Sequence, residues 1–461
     1  MKLIVLAGEG GIRLFPLARA NHPKEFLKIF DDTSLFVQSI MRYAPVATAE
    51  DVVVVTGQKY QYHVKSELES CGMGKAHVVL ETEFKGTAPA IALGLNYCKN
   101  QLGAANDEII FITVSDHIIN PTNVFLRNMR SGLPLCGKGK IVHFGVKPDK
   151  PETSYAYIKT GDKIEDGYAV EKFIEKPDYD KAAEFYSSGD YYWNAGIQAA
   201  QLDTFLAAFE KTVPDIASLI SKPLEKAQAE FVKLGACSVN KAVWEKAENM
   251  AVIPLNCFWN DIGSWDDIYD ILIKDEDGNA EMGNVLAVDC KDSMFIGKKR
   301  FITSVGMSDT LVVETGDVIL VAKRGEADKV KELAKILEEK GCEESKHTNT
   351  VYRHWGNFTV LDAGKNFRVK NVVMLPGSSM PMQMHCHRSE HWVIVEGSAK
   401  VIIDGDEHMV HKNQSIFVPI GTKHKIINAG MLPLEMVEVQ NGDYLGEDDV
   451  TIFADEEQGD D

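Results

Sequence analysis

Short apolar runs alternate with longer mixed segments along the first part of the chain. Four of the runs have the length and apolar composition of buried strands: Leu3–Ala7, Val52–Thr56, Ile109–Val114 and Ile141–Val146. The mixed segments between them, such as Ala88–Asn100, have the pattern of helices. Strands that alternate with helices predict an α/β domain over residues 1–275, built on a mixed, mainly parallel sheet.

The pattern changes after the α/β part, where short strands of alternating apolar and polar residues are separated by turns. An amphipathic helix follows them, because Val330, Ala334 and Leu337 recur at helical spacing. Residues 276–345 are therefore expected to form a β-rich connecting segment that finishes in a helix. The polar run Cys342–Thr350 is the best candidate for a linker.

Beyond this linker the chain is rich in strand-like runs separated by Gly and Pro. Residues 346–461 are therefore predicted to form an all-β domain, either a sandwich or a barrel. The acidic end of the chain, Asp455–Asp461, is expected to be frayed.

Composition and charge narrow the range of partners. The chain has 461 residues, of which 49 are Lys or Arg and 68 are Asp or Glu, so its formal net charge is −19. Such a surface repels nucleic acid and anionic membranes, and we expect neither as a partner. The eight cysteines include no Cys-x-x-Cys pair, and no apolar stretch approaches membrane-spanning length. These features predict a soluble protein of the reducing cytoplasm.

The first strand runs into a glycine-rich turn, Gly8–Arg19, with the sequence GEGGIRLFPLAR. A turn of this kind presents backbone N–H groups to phosphate in many proteins. It lacks the third glycine of a dinucleotide-binding fingerprint, where Arg13 stands, and the Gly-Lys-Ser/Thr of a Walker loop. Taken alone, the turn fits a phosphate site and an ordinary surface turn equally well. Ligands of parallel sheets bind at the carboxyl ends of the strands, where Gly8 and Asp116 both fall.

Five further motifs follow this turn in order: GTAPAIAL (86–93), VSDHII (114–119), FIEKP (173–177), WNAGI (193–197) and WNDIGSWDDIYD (259–270). Together with the turn and PKEFL (23–27), they resemble the signature of sugar-1-phosphate nucleotidyltransferases, specifically of mannose-1-phosphate guanylyltransferases. The resemblance implies a Rossmann-like nucleotidyltransferase domain. It also implies the reaction, in which GMP passes from GTP to mannose 1-phosphate and pyrophosphate leaves.

The resemblance gives each matching residue a role. In-line attack at the α-phosphorus spreads charge over the phosphate oxygens, so cations and N–H donors are needed around them. Arg13 and Lys24 would supply the cations. Asp116 and Asp261 would hold Mg²⁺, a hard cation that prefers carboxylate oxygens. The nucleotide would lie against Leu6, Ala7, Gly8, Gly10, Gly11, Glu81, Gly86, Thr87 and Pro89. The sugar phosphate would be bound by Glu175, Lys176 and Asn194.

The chain departs from the usual family pattern on the triphosphate and base side. Glu9, Gly10 and Ile12 stand where Gly, Ser and Thr are usual, and Lys85–Gly86 replaces Arg-Asn. The metal and sugar residues are kept. A domain that uses another sugar phosphate or nucleotide, or that binds a nucleotide without catalysis, is therefore the alternative interpretation.

Histidines are concentrated near the other end of the chain, where six of the 13 lie between His385 and His424. Two groups of residues have the spacing of the two cupin motifs, with Gln in place of the first His: Gly377, Gln383, His385, Glu390 and Gly397, then Pro419, Gly421, His424 and Asn428. Residues two apart on a strand share a face, so Gln383 and His385 point into one barrel. With Glu390 and His424 they form a ligand set that suits Zn²⁺ or another divalent ion. A cupin (jelly-roll) domain is therefore expected.

The segment from Val351 to Val450 closely resembles type II phosphomannose isomerases. This implies the interconversion of fructose 6-phosphate and mannose 6-phosphate, in which a metal polarises oxygens at C1 and C2 while a base moves one proton. His387, Arg388 and His391 are candidates for acid–base or phosphate roles, and we place Arg388 in the catalytic set. A cupin that binds metal without isomerising, or an iron oxygenase with two His and one carboxylate, are the alternatives.

Both signatures occur together in one family, the bifunctional mannose-1-phosphate guanylyltransferase/mannose-6-phosphate isomerases. The resemblance implies the first and last steps from fructose 6-phosphate to GDP-mannose, a precursor of polysaccharides. The expected partners are GTP, mannose 1-phosphate, mannose 6-phosphate and fructose 6-phosphate. A homodimer is compatible with the sequence, which does not fix the oligomeric state.

Overall fold

The computed structural model describes residues 1–8, 12–345 and 348–453, which fall into two compact units, Met1–Lys346 and His347–Asp461. Glu9, Gly10 and Gly11 of the glycine-rich turn and the acidic end at 455–461 lie outside the described residues. Within these ranges no helix has the length and apolar character needed to cross a membrane.

The first unit contains the α/β part and the β-rich segment. Its strands are β1 (Lys2–Ala7), β2 (Val52–Gly57), β3 (His77–Glu81), β4 (Ile109–Val114), β5 (Ile118–Asn120), β6 (Ile141–Val146), β7 (Ala156–Ile164), β8 (Gly167–Glu175), β9 (Tyr191–Gln201), β10 (Met250–Pro254), β11 (Phe258–Asn260), β12 (Ala280–Met282), β13 (Val285–Val288), β14 (Met294–Gly297), β15 (Ile302–Val305), β16 (Thr310–Glu314) and β17 (Ile319–Lys323). Its helices are α1 (Leu35–Met41), α2 (Gln61–Ser70), α3 (Thr87–Asn100), α4 (Thr122–Gly137), α5 (Tyr179–Ser188), α6 (Leu202–Thr212), α7 (Pro214–Ala217), α8 (Leu224–Phe231), α9 (Val239–Ala242), α10 (Trp265–Ile271) and α11 (Val330–Glu339).

The central sheet of this unit is mixed. Its strand order in the described part of the chain is β3-β2-β1-β4-β9-β6-β10-β8-β7. β1 lies parallel to β2 and β4, so the carboxyl ends of these three strands meet at one edge. β9 runs antiparallel between β4 and β6. The α/β fold class that the alternating pattern predicts is confirmed.

Helices cover both faces of the sheet because successive residues of its strands are apolar on both sides. Leu3 and Val5 of β1 pack with residues of α1, α2 and α4 on one face. Ile4 packs with residues of α3, α6 and α8 on the other. Strands buried on both faces read as continuous apolar runs, which is the pattern seen in the sequence.

The β-rich segment packs against the turn that carries the nucleotide motif. Its strands form two small sheets, β12-β14-β16-β17 and β13-β15. Apolar residues of β14, β16 and α11 share one core cluster with Leu14 and Phe15, which belong to the second half of the glycine-rich turn. Arg19 also donates to both carboxylate oxygens of Asp317, at 2.5 and 2.8 Å. The segment therefore supports one flank of the turn.

The second unit is all-β. Its strands are β18 (Thr350–Arg353), β19 (Gly356–Ala363), β20 (Phe367–Met374), β21 (Gln383–Met384), β22 (Arg388–Glu396), β23 (Ser398–Ile403), β24 (Asp406–His411), β25 (Ser415–Val418), β26 (His424–Ile427), β27 (Leu434–Gly442) and β28 (Thr451–Ile452). They form two sheets, in the orders β18-β19-β20-β27-β22-β25 and β24-β23-β26-β21-β28. Trp392 and Met436 of the first sheet share a core cluster with Val401 and Ile426 of the second. This arrangement confirms the cupin fold.

Candidate active sites

A lysine and two aspartates meet at the carboxyl edge of the β1–β4 part of the sheet. The Lys24 Nζ lies 2.6 Å from Asp116 Oδ2 and donates to the backbone carbonyl of Asp261 at 2.5 Å. β4 delivers Asp116, and the turn after β11 delivers Asp261. Three of the residues predicted for phosphate chemistry are therefore in contact.

The charges of this cluster stabilise each other. Burial would lower the pKa of Lys24, but the Asp116 and Asp261 carboxylates raise it above its ordinary value. Burial would likewise raise the pKa of Asp116, but Lys24 lowers it below its ordinary value. Lys24 and Asp116 therefore both stay charged at neutral pH.

Two residues that the sequence reasoning did not select support the aspartates. Tyr155 donates its hydroxyl proton to Asp261 Oδ1 at 2.6 Å. Nδ1 of His117 lies 3.2 Å from the indole nitrogen of Trp259 and 3.2 Å from the Ala195 carbonyl oxygen, and its Nε2 lies 3.6 Å from Asp116 Oδ1. His117 stands inside the VSDHII motif, and that position was the available signal.

A small cavity opens beside this cluster. Most of the residues predicted to bind the nucleotide line it, and they are Leu6, Ala7, Gly8, Glu81, Gly86 and Thr87. Asp116 lies in the same wall. Pro89 is buried in the first turn of α3 and is not part of the wall. Arg13 is exposed in the 3-10 turn Ile12–Leu14, so its role in the site stays a prediction.

Glycine is required at position 86 for two reasons. Its φ of +85° lies in the left-handed region, and a Cβ there would come within 2.6 Å of the Cys237 carbonyl oxygen. The turn before α3 therefore approaches the backbone at Cys237 closely.

Glu25 is a second carboxyl group in the nucleotide cavity, and the sequence reasoning missed it. Its side chain is 2% exposed and lines the cavity wall. Its Oε1 has no hydrogen-bond partner within the described residues. Burial, with the nearby charge of Asp116, raises the pKa of Glu25 to about 8. At neutral pH this carboxyl group is mostly protonated, which avoids an uncompensated buried charge.

A larger cavity of about 450 Å³ adjoins the first, and both include Gly86 and Thr87 in their walls. All the residues predicted to bind the sugar phosphate line it: Glu175, Lys176 and Asn194. Asp261 lies in its wall as well. The aromatic ring of Tyr155 packs edge-on against Trp193 and Trp259, at centroid distances of 5.1 and 5.2 Å. The two neighbouring cavities together are lined by the predicted metal and sugar residues and by Glu81, Gly86 and Thr87 of the predicted base side.

The second unit brings together His385, Glu390 and His424, which are buried and whose ligand atoms all lie within 4.8 Å of one another. The Nε2 of His385 is 3.2 Å from Glu390 Oε1, and the Nε2 of His424 is 3.8 Å from Glu390 Oε2. β26 supplies His424 and β22 supplies Glu390. These residues form a candidate metal site.

The tautomers of the two histidines fit a metal ion. Nδ1 of His385 lies 2.7 Å from the carbonyl oxygen of Asp449, and Nδ1 of His424 lies 2.9 Å from that of Thr422. A carbonyl oxygen only accepts, so each imidazole carries its proton on Nδ1 and turns the lone pair of Nε2 toward Glu390. Both Nε2 atoms are buried without a hydrogen-bond partner in the described part of the chain. Two lone pairs beside a carboxylate are a ligand set for a divalent ion.

Neighbouring donors hold the Glu390 carboxylate in its ionised form. Trp392 donates to Oε2 at 3.1 Å, and Gln440 donates to Oε1 at 3.1 Å. Burial would raise the pKa of Glu390, but its contacts with His385, His424 and the Arg388 guanidinium hold it well below its usual range. An ionised carboxylate is the form that binds metal.

A cavity of about 300 Å³ leads to this cluster. Gln383 and Arg388, both selected from the sequence, line it beside Glu390. Arg388 is 4% exposed, and its Nη1 donates to the Gly446 carbonyl at 2.9 Å. Gln383 lies opposite His424 in the sheet register. The cavity wall therefore includes Gln383, Arg388 and Glu390, whereas His385 and His424 are not part of the wall and meet Glu390 in the buried cluster.

The other two histidine candidates lie elsewhere. His391 is exposed and stacks on Phe417, with ring centroids 4.5 Å apart. His387 is also exposed, and its Nδ1 lies 2.9 Å from the Asp449 carboxylate. Neither residue lines the cavity.

Two buried charged residues of the cavity were not selected from the sequence. Lys370 and Glu438 line it, with Nζ and Oε1 3.8 Å apart. Burial and the charge of Glu390 raise the pKa of Glu438 above its usual value. Glu438 and Gln440 occupy the same strand face as the apolar Leu434 and Met436. Polar residues on the buried face of a strand were the signal that could have identified them.

Three family descriptions match successive parts of the chain. Residues 2–278 match "Nucleotidyl transferase", residues 283–337 match "MannoseP isomerase/GMP-like beta-helix domain", and residues 340–455 match "Mannose-6-phosphate isomerase C-terminal". The first match covers the sheet with its two adjoining cavities, and the last covers the buried His–Glu–His cluster.

Relatives match along nearly the whole chain. The Xanthan biosynthesis protein XanB of Xanthomonas campestris is 37% identical, with 98% of each chain covered. The Alginate biosynthesis protein AlgA of Pseudomonas aeruginosa is 34% identical over 98% of this chain and 96% of its own. The Mannose-1-phosphate guanylyltransferase of Escherichia coli is 34% identical over 98% and 97%.

A solved structure agrees with these matches. A protein of Thermus thermophilus, described as a mannose-1-phosphate geranyltransferase, aligns with a TM-score of 0.67 and 27% identity, over 73% of this chain and 99% of its own.

Proposed function

The chain belongs to the family of mannose-1-phosphate guanylyltransferases that carry a C-terminal mannose-6-phosphate isomerase domain, and on this premise we propose that it is a bifunctional enzyme of GDP-mannose synthesis. Its first unit transfers GMP from GTP to mannose 1-phosphate. Its second unit interconverts fructose 6-phosphate and mannose 6-phosphate. The observation that supports the proposal is a separate cluster of ionisable groups in each unit, Lys24–Asp116–Asp261 in the first and His385–Glu390–His424 in the second. We place the enzyme in the cytoplasm, where these phosphorylated substrates are made.

In the first unit, Asp116 and Asp261 are the residues that would hold Mg²⁺, which when bound neutralises charge on the phosphate oxygens. Lys24 keeps its positive charge between the two aspartates and adds a fixed cation. Glu175 accepts hydrogen bonds from sugar hydroxyls in the larger cavity, and Asn194 of β9 does the same. These contacts hold the sugar so that its phosphate faces the nucleotide.

In the second unit, His385, Glu390 and His424, with Gln383, would hold Zn²⁺ or another divalent ion, which supplies Lewis-acid polarisation of the sugar oxygens. Arg388 presents a buried cation that attracts the phosphorylated sugar. Glu438 is a carboxylate in the same cavity whose pKa is raised by burial, and it takes the proton from one sugar carbon and returns it to the next.

Paired assays on the purified full-length protein test this proposal. With GTP, mannose 1-phosphate and Mg²⁺, GDP-mannose should form, and fructose 6-phosphate should equilibrate with mannose 6-phosphate. Asp261→Ala should abolish nucleotidyl transfer and spare isomerisation, whereas His385→Gln should do the reverse. Failure to form a nucleotide sugar from any nucleotide, beside intact isomerisation, would refute the bifunctional proposal.

A further inference from the structure

Residues 236–239, which we call the bridging segment, comprise the last three residues before α9 and the first residue of that helix, and the segment borders the sugar cavity. Ala236, Cys237 and Ser238 are part of the cavity wall. No motif discussed above includes this segment. Its hydrogen bonds run in two directions, toward the nucleotide side and toward the sugar side.

On the nucleotide side, three hydrogen bonds join the bridging segment to the turn before α3. The Cys237 N–H donates to the Lys85 carbonyl at 2.8 Å, and the Ala88 N–H donates to the Cys237 carbonyl at 3.1 Å. The Val239 N–H donates to Thr87 Oγ1 at 2.9 Å. The close backbone approach that requires glycine at position 86 lies between these bonds. The segment is therefore fixed to a turn that borders both cavities.

On the sugar side, the bridging segment holds a carboxylate. The Ser238 hydroxyl oxygen lies 3.0 Å from Oε1 and 2.9 Å from Oε2 of Glu175, so the hydroxyl donates to that carboxylate. The backbone N–H of Glu175 donates to the Glu245 side chain at 2.9 Å. A hydrogen bond to an ionised acceptor is stronger than one between neutral groups, so it restricts the Glu175 side chain effectively.

We propose that Ser238 is a positioning residue that aims Glu175 at the sugar, and that Thr87 keeps Ser238 in place through the bridging segment. This inference rests on the proposed role of Glu175 in binding the sugar of mannose 1-phosphate and of GDP-mannose. Its consequence is that the geometry of the sugar side depends on the turn at the nucleotide side. The affinity for a ligand that contains both sugar and nucleotide should therefore change when Ser238 is altered, whereas the affinity for the nucleotide alone should not.

Calorimetric titrations of the full-length protein with two ligands, GDP and GDP-mannose, distinguish effects on the nucleotide cavity from effects on the sugar cavity. GDP occupies only the nucleotide side, whereas GDP-mannose occupies both. Ser238→Ala should weaken GDP-mannose about tenfold, as expected for losing a hydrogen bond to a charged group, and leave GDP unchanged. In kinetics, the KM for mannose 1-phosphate should rise while the KM for GTP stays constant. Ser238→Thr, which keeps the hydroxyl, should restore both values.

Further variants test whether Ser238 acts through Glu175 and Thr87. In a Glu175→Gln background, the Ser238→Ala change should cause no additional loss of GDP-mannose affinity, because coupled residues are not additive. Thr87→Ala should weaken GDP-mannose more than GDP, and Thr87→Ser should reverse the difference. Ser187→Ala is the matched control, since Ser187 is an exposed serine of α5 whose hydroxyl donates to the Ala183 carbonyl of the same helix.

The outcomes distinguish this inference from the function on which it rests. If the wild-type protein does not bind GDP-mannose, the proposed function fails and the inference fails with it. If the wild type binds GDP-mannose and Ser238→Ala weakens GDP and GDP-mannose equally, or neither, the positioning role is wrong while the function stands. Additive losses in the double variant would also overturn it.

Discussion

Removing a divalent ion from the His385–Glu390–His424 cluster should lower the stability of the second unit. Both Nδ1 atoms already donate to backbone carbonyls, so neither ring has a second proton to offer without becoming a cation. Both Nε2 atoms are buried and face Glu390 without hydrogen bonds in the described part of the chain. A bound ion would satisfy the two lone pairs and the carboxylate at once, whereas the metal-free unit must leave them facing one another.

The size of the effect follows from mass action. An ion at 100 times its dissociation constant that binds only the folded unit adds about 2.7 kcal/mol to the free energy of unfolding. For a unit of roughly 100 residues, 1 kcal/mol corresponds to about 4–8 °C in Tm. Chelation should therefore lower the Tm of the second unit by about 10–20 °C.

Differential scanning calorimetry of the full-length protein measures this shift before EDTA, after EDTA and after addition of Zn²⁺ or Mn²⁺. His385→Gln should unfold at the low temperature in every condition, because one ligand is lost. His411→Gln is the matched control, since His411 is an exposed histidine of the same unit that bonds to Ser398 at 2.9 Å. It should respond to EDTA as the wild type does.

The reasoning would be refuted if neither EDTA nor any divalent ion moved a transition of the wild type, and elemental analysis found no ion bound. An equal EDTA response in His385→Gln would also refute it, because the stabilising ion would then lie elsewhere.

Three further predictions concern the first unit. Tyr155→Phe keeps the ring packing but removes the hydroxyl that holds the metal-side carboxylate, so the Mg²⁺ concentration for half-maximal nucleotidyl transfer should rise about tenfold in a metal titration. Burial raises the pKa of Glu25 from 4.5 to about 8. Between these pH values the unfolded state has lost the Glu25 proton while the folded state keeps it, so the free energy of unfolding falls as the pH rises from 4.5 to about 8. A pKa unit corresponds to about 1.4 kcal/mol, so Glu25→Gln should match the wild type at pH 4 and exceed it by up to about 5 kcal/mol at pH 8.5, measured by urea unfolding. Gly86→Ala should lower the Tm by more than Gly72→Ala, because both positions have positive φ but only position 86 lacks room for a Cβ.

The strands of the first unit were predictable because each is a local apolar run. Ile109–Val114 and Ile141–Val146 have the bounds that the pattern gives. The helix expected at Ala88–Asn100 begins one residue earlier, at Thr87. The antiparallel position of β9 between β4 and β6 is a pairing between distant segments, and no local pattern encodes it.

The residues of the candidate sites also fall into two groups, those that a local motif identifies and those that only the folded structure identifies. Asp116 and Asp261 were found because they stand inside recognisable motifs, and their common contact with Lys24 is a property of the fold. Ser238 lies in a segment without any motif, and only its hydrogen bonds to Glu175 reveal a role. Glu25 stands inside the PKEFL motif but received no role from the sequence, since its burial in the cavity wall depends on how the chain folds around it.

The apolar cluster shared by the glycine-rich turn and the β-rich segment determines where the polypeptide tolerates a break. A fragment that stopped after α10 would expose Leu14 and Phe15, which are at most 2% exposed in the intact unit. Apolar surface uncovered in this way promotes aggregation. A cut between the two compact units, at residues 346–347, leaves that cluster covered. We therefore expect a chain divided genetically at that junction to yield a nucleotidyltransferase unit that still includes its β-rich segment and stays unaggregated.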